Sequence, residues 1–308
     1  MKTIFIASPL IAAAAMFTAA PTAHAELSVI TTVTDLAAIV QEVGGAEVKV
    51  ESICRGSQDP HYIEPKPSYM VKASHADLLI AVGLGLEVGW LPSIIQGARN
   101  PRIAKGQPGF LEVGSLIEAL DVPSGKVSRA EGDVHPEGNP HFMLDPIRVG
   151  QVALGIAKRL SELDPVHATQ YGTRAAALEH RLSDKTKAWQ ERVRKSSVSK
   201  VITFHQTLRY FFARFHLEAV AILEPLPGVP PTAKHILEVI GKAKAEKVQL
   251  ILVENFFDPA VAERVAKDVA GLRIAVVPVA VGGDAAVQTI DEVYETLVRA
   301  IEGTKSHG

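Results

Sequence analysis

Apolar residues recur along this chain in two alternating rhythms. The run "LSVITTV" (residues 27–33) reads as a strand, and "TDLAAIVQEVGG" (34–45) as a helix capped by Thr34 and stopped by Gly44-Gly45. "VKVESIC" (48–54) is a second strand, "SYMVKASHA" (68–76) a short helix and "DLLIAVG" (77–83) a buried strand. "LEVGWLPSIIQGA" (86–98) reads as helical with an irregularity at Pro92. Strands alternating with helices in this way predict a parallel sheet covered by helices.

The apolar pattern stops in "DVPSGKVSRAEGDVHPEGNP" (121–140), a polar loop, and resumes as a helix in "DPIRVGQVALGIAKRLSELDP" (145–165). Residues 166–195 carry the longest continuous helical pattern, with Tyr171, Ala175, Leu178, Leu182, Trp189 and Val193 mostly three or four apart. A helix of about 30 residues spans roughly 45 Å, more than one small domain needs. It reads as a rigid strut between two lobes. Beyond it, "KVITFH", "LEAVAIL", "QLILVEN" and "RIAVVPVA" alternate with four helical segments, which predicts a second parallel lobe. The expected fold is therefore α/β, with two parallel-sheet lobes (26–164 and 197–308) joined by one long backbone helix (165–196).

The first 25 residues stand apart. They hold one lysine, an apolar stretch and a small-x-small ending at Ala23-His24-Ala25, which reads as a secretory signal peptide cleaved before Glu26. The apolar core is short and interrupted by Pro9 and Pro21, unlike a membrane span. No cysteine follows the small residues, so a periplasmic protein without a lipid anchor is expected. A hydrophobic fraction of 47% over 308 residues suits a soluble protein of two domains. The net charge of -2, without a concentrated basic run, argues against a nucleic-acid partner. The single cysteine, Cys54, allows no intramolecular disulfide and reads as a core residue in preference to a soft metal ligand.

Candidate chemistry gathers at the ends of elements, where ligands bind in open α/β sheets. His61 follows a proline in the stiff loop "SQDPHYIEPKPS", and His141 follows one in "NPHFMLDP". His205 comes directly after the strand "KVITF", and Asp284 lies on "VGGDAA", where two glycines let the backbone approach a bound group. Each alone reads as an ordinary loop residue, and Asp284 as a cap. Jointly they suggest a cation gripped in the cleft between the lobes. Glu64 and Glu254 are the foremost candidates to accept the other imidazole N–H groups. Asp145-Pro146 reads at least as well as a helix start. His75, His167, His180, His216 and His235 read as surface or packing residues.

"DPHYIEPKPS", "GNPHFMLDP", "TFHQTLRYF" and "VGGD" before a terminal amphipathic helix resemble the zinc/manganese solute-binding proteins of ABC transporters. The resemblance covers essentially the whole mature chain. It implies a two-lobed receptor that binds a divalent transition metal through His61, His141, His205 and Asp284 and delivers it to a membrane permease. Three imidazoles and a carboxylate favour Zn²⁺ over Mn²⁺, and the manganese members resemble this pattern with a carboxylate at the position of His205. The departure is a short loop before His141. Its Glu131, Asp133, His135 and Glu137 read as a solvated acidic loop, with an auxiliary metal contact at His135 as the lesser reading. A monomer without enzymatic activity and with little interlobe motion is expected. The alternatives are a manganese or iron receptor, an adhesin with a structural metal, and an exported metallohydrolase. The last lacks H-E-x-x-H and G-x-S-x-G motifs, and four protein ligands would leave it no open position.

Overall fold

A computed structural model describes residues 26–125, 135–226 and 228–303. The signal-peptide reading and the loop residues Glu131 and Asp133 therefore fall outside the described residues.

Two four-stranded parallel sheets form the molecule, and both have the same order. The first runs β2-β1-β3-β4, from β1 (Leu27–Thr31), β2 (Val48–Ser52), β3 (Leu78–Ala81) and β4 (Phe110–Glu112). The second runs β6-β5-β7-β8, from β5 (Lys200–Thr203), β6 (Glu218–Ile222), β7 (Leu250–Glu254) and β8 (Arg273–Val277). In each sheet the chain leaves its first strand to one side and then crosses to the other. The switch points thus lie at the carboxyl ends of β1 and β3 and of β5 and β7, where such sheets bind ligands.

The first sheet is accompanied by α1 (Thr34–Gly44), α2 (Pro67–Ser74), α3 (Leu91–Ala98) and α4 (Pro146–Leu163). Helix α5 (Ala168–Lys195) follows, and its 28 residues extend about 42 Å. Its stripe of Tyr171, Ala175, Leu178, Leu182, Trp189 and Val193 is buried, as the periodicity predicts. Thr186 fills the gap in that stripe, and its hydroxyl donates to the Leu182 carbonyl at 2.6 Å, which satisfies it inside the core. Helices α6 (Arg209–Phe215), α7 (Ala233–Ala245), α8 (Ala260–Lys267) and α9 (Ile290–Glu302) complete the chain. A capping box between Thr289 and Glu292 starts α9, and Gly303 at φ 78° ends it.

One apolar core joins the two halves. It runs from β1, α1, α4 and α5 into one face of the second sheet and into α9. A separate, smaller core lies between the other face of that sheet and α7 and α8. Polar ties reinforce the junction. Asp145 caps α4, and its buried carboxylate accepts from Arg148 (2.6 Å) and, across the junction, from Arg214 of α6 at 2.8 and 2.9 Å. The Tyr294 hydroxyl of α9 donates to the Met143 carbonyl at 2.6 Å.

Two local expectations are corrected, and one strand is missed by the sequence pattern. Thr34 does not cap α1: its hydroxyl is buried without a partner, and Val33 occupies the cap position. Pro92 does not interrupt a helix that began at 86, because it sits in the first turn of α3, where its missing N–H costs nothing. Strand β4 is three residues long, too short to show a period of two.

Candidate metal centre

Four imidazoles converge where the halves meet. His61 stands on the loop after β2, His141 at the entrance to the turn that leads into α4, and His205 two residues beyond the end of β5. His135 comes from the turn that precedes His141. The ring centroids of His61 lie 5.2 Å from His141, 5.5 Å from His205 and 5.4 Å from His135. Those of His141 and His205 are 5.5 Å apart. Imidazoles sharing one tetrahedral zinc at ~2.0–2.1 Å place their centroids roughly 5 Å apart. One ring nitrogen from each of His61, His135 and His141 falls within 4.8 Å of the others.

Two of the rings are fixed by carboxylates. Asp59 Oδ1 meets His61 Nδ1 at 2.6 Å and also accepts the His61 backbone N–H at 3.0 Å. Glu224 Oε2 meets His205 Nδ1 at 2.6 Å, while its other oxygen accepts the Gly228 N–H at 2.8 Å. A carboxylate on Nδ1 holds the proton there and leaves the Nε2 lone pair available to a metal. His141 has its Nε2 buried without a hydrogen-bond partner, and its backbone N–H donates to Asn139 Oδ1 at 2.9 Å. Burial, and then the neighbouring His61, His205 and His135, hold the His141 imidazole well below its ordinary 6.5. It is thereby kept neutral, the form a metal requires.

The ring nitrogens of His61 and His205 meet carboxylates other than the expected Glu64 and Glu254. Glu64 is exposed, and the short Asp59-Pro60-His61 turn brings Asp59 to the imidazole in its place. Glu254, the last residue of β7, is fully buried, and burial pushes its carboxyl up to about 8. No hydrogen bond of normal geometry reaches either of its oxygens or the Thr207 hydroxyl, although the amides of Glu254 and His205 and that hydroxyl lie near enough to oppose the shift. The imidazole Nδ1 of His205 meets Glu224 instead.

Among the described residues, Asp284 stands outside the group formed by His61, His135 and His141. It is exposed, its Oδ1 accepts the Ala286 N–H at 2.9 Å, and its carbonyl accepts the Val287 N–H at 3.0 Å, which closes a local turn. Its loop nevertheless packs on the His61 loop, since a Cβ at Gly56 would lie 2.1 Å from the Val281 carbonyl oxygen. Cys54 is a core residue whose thiol burial pushes up.

Comparison with known proteins identifies the family. The family model described as "Zinc-uptake complex component A periplasmic" matches residues 29–303. The metal ABC transporter substrate-binding lipoprotein SloC of Streptococcus mutans is 26% identical over 264 residues, covering 84% of this chain and 82% of SloC. The manganese ABC transporter substrate-binding lipoprotein scaA of Streptococcus gordonii is 26% identical over 248 residues, with coverage of 79% and 76%. Both relatives are named lipoproteins, which runs against the expectation of a protein without a lipid anchor. A zinc-bound deletion mutant of ZnuA shares the fold, with a TM-score of 0.74 at 23% identity, covering 92% of this chain and 99% of the other. The chain belongs to the zinc-uptake component A family of metal ABC transporter substrate-binding proteins.

Proposed function

We propose that this protein is a high-affinity receptor for Zn²⁺, exported to the periplasm, which hands the ion to an ABC permease. The observation that carries the reading is the convergence of His61, His141 and His205, with two rings backed by Asp59 and Glu224 and the third holding a buried, unpartnered Nε2. Imidazole is a borderline ligand that suits zinc, whereas manganese is better served by carboxylate, carbonyl and water oxygens. The ligands come from both halves, His61 and His141 from the first and His205 from the second. The relatives named as metal ABC transporter substrate-binding lipoproteins support a receptor that binds and releases without chemistry.

The test is competitive titration of the purified protein with zinc and manganese, alongside His205→Ala. One tightly bound zinc, weak manganese and a large loss of zinc affinity in the variant support the reading. Zinc affinity untouched by His205→Ala would refute it. Tighter manganese than zinc would assign the protein to the manganese branch of the same family.

A further inference from the structure

We propose that His135 is a fourth imidazole ligand of this site and sets its preference for zinc over manganese. The inference rests on the receptor reading above and adds to it the residue that completes the coordination sphere.

The distance between His61 Nε2 and His135 Nε2 is 3.3 Å. Two nitrogens bound to one tetrahedral zinc at ~2.0–2.1 Å are separated by roughly 3.3 Å. Because Asp59 takes Nδ1 of His61, the atom that faces His135 is the one left for a metal. The same contact closes an N–H···N hydrogen bond when His135 carries its proton on Nε2, so a proton and a metal compete for one position. Coordination by both rings removes the proton and keeps the spacing.

The turn that presents His135 is built for that placement. The His135 carbonyl accepts the Gly138 N–H at 3.1 Å, and Gly138 adopts φ 107°, a conformation that disfavours any other residue. A Cβ there would also lie 2.8 Å from the Ala119 side chain. Asn139, next in the chain, is anchored to the second half: its Nδ2 donates to the Gln206 carbonyl at 3.1 Å, and its own carbonyl accepts the Tyr210 hydroxyl at 2.8 Å. On its other side the His135 ring lies against Gly85, where a Cβ would stand 3.5 Å from Nδ1. The anchors that position His141 thus position His135 as well.

A fourth imidazole makes the donor set all nitrogen. Such a set retains zinc and cobalt and penalises manganese, whereas a carboxylate in the fourth position narrows the difference. Asp284 is the rival for that position.

The experiment uses the full chain, with zinc affinity measured by chelator competition and the cobalt(II) form read by its visible absorption. The variants are His135→Ala, His135→Asp, Asp284→Ala and His61→Ala. His135→Ala should lower zinc affinity at least about 10-fold and change the position or intensity of the cobalt bands, while Asp284→Ala leaves the bands unchanged. His135→Asp should keep a metal site but shift the zinc-to-manganese affinity ratio toward manganese. An unchanged cobalt spectrum in His135→Ala would overturn the proposal, whether or not affinity falls, because a residue that only steadies His61 leaves the donor set intact. Full zinc affinity in His61→Ala would instead refute the receptor site itself, a separate failure.

Discussion

The Glu224 carboxylate meets the His205 ring at 2.6 Å, from 19 residues further along the chain and from the loop after the neighbouring strand. Because β5 and β6 are paired in parallel, the ends of these two strands stand side by side, and the loop that follows each can reach the other. The contact is buried, with side-chain exposures of 6% and 9%, so its electrostatic effect on the imidazole is little screened. Glu224→Ala should therefore lower zinc affinity roughly 10–100-fold, and Glu224→Gln by less, since the amide oxygen still accepts from Nδ1. Chelator competition measures both. Equal affinities in wild type and Glu224→Ala would mean that His205 is oriented by its packing alone.

His141 should contribute no proton when zinc binds. Its imidazole is held well below 6.5 by burial first and by its histidine neighbours second, so it is already neutral in mildly acidic solution. The unfolded chain protonates near ~6.5, and the stability tied to this residue is present above that pH and lost as pH falls toward the folded value. Calorimetric zinc titrations at about pH 6, in two buffers of different ionisation enthalpy, count the protons released. The count should be the same in His141→Gln as in wild type, although the affinity falls. A lower count in the variant would show that His141 is charged before zinc arrives.

The positions of these residues explain how much of the site the sequence reveals. His61, His141 and His205 are legible because proline or a strand end marks each of them. His135 is harder to read: it sits in "GDVHPEG", where acidic neighbours suggest solvent, and only the Gly138 turn and its anchors bring it to His61. Asp59 and Glu224 carry no local sign of their role, because what matters is a contact made by the folded loops. Glu64 and Glu254 have sequence positions as favourable as theirs, yet one is exposed and the other is buried beside the backbone of β5 and β7. The alternation of strands and helices predicts both sheets, while β4 escapes because three residues cannot display a period. The continuity of the core across the halves has no sequence signature. It depends on α9 folding back against α5, where Trp189 and Tyr294 rings meet at 5.3 Å.

Asp35 ties the first turn of α1 to the loop that carries Asp284: its Oδ1 accepts the Val281 N–H at 2.8 Å. Burial pushes its carboxyl up from 3.8 to about 7, against the lowering effect of the Val281 amide. The folded protein thus keeps a proton that the unfolded chain releases near 3.8, and stability falls as pH rises from there through about 7. At ~1.36 kcal/mol per pKa unit, the loss amounts to a few kcal/mol. Asp35→Asn retains an oxygen for Val281 and cannot ionise. Its stability relative to wild type should therefore improve between about pH 4 and about pH 8 in urea unfolding of the metal-free protein. A difference that does not vary with pH would show that Asp35 is ionised throughout.

The junction itself should move little when metal binds. A hinge that opened widely would have to part the core shared by α1, α5, α9 and the second sheet, and expose side chains such as Tyr294 that are fully buried. It would also separate Arg214 from Asp145, leaving a buried carboxylate without half of its partners, a change that costs ~3–5 kcal/mol in comparable buried pairs. Arg181 of α5 adds a further brace, reaching Glu42 of α1 and Asp291 of α9 together. The loops are held far less firmly. The loop that carries Asp284 packs on the His61 loop and is otherwise held by local turns and the Asn255 and Asp35 hydrogen bonds, so metal release is expected to involve these two loops. Spin labels on Val71→Cys and Leu237→Cys, both exposed and on opposite halves, report the separation directly, and buried Cys54 is shielded from labelling. Pulsed distance measurements should give the same interlobe distance with and without zinc, within a few ångströms by the scale of interface adjustments in pre-organised proteins. A large shift of the whole distribution on zinc removal would show that the halves rotate as rigid bodies, and that the shared core divides more easily than its burial implies.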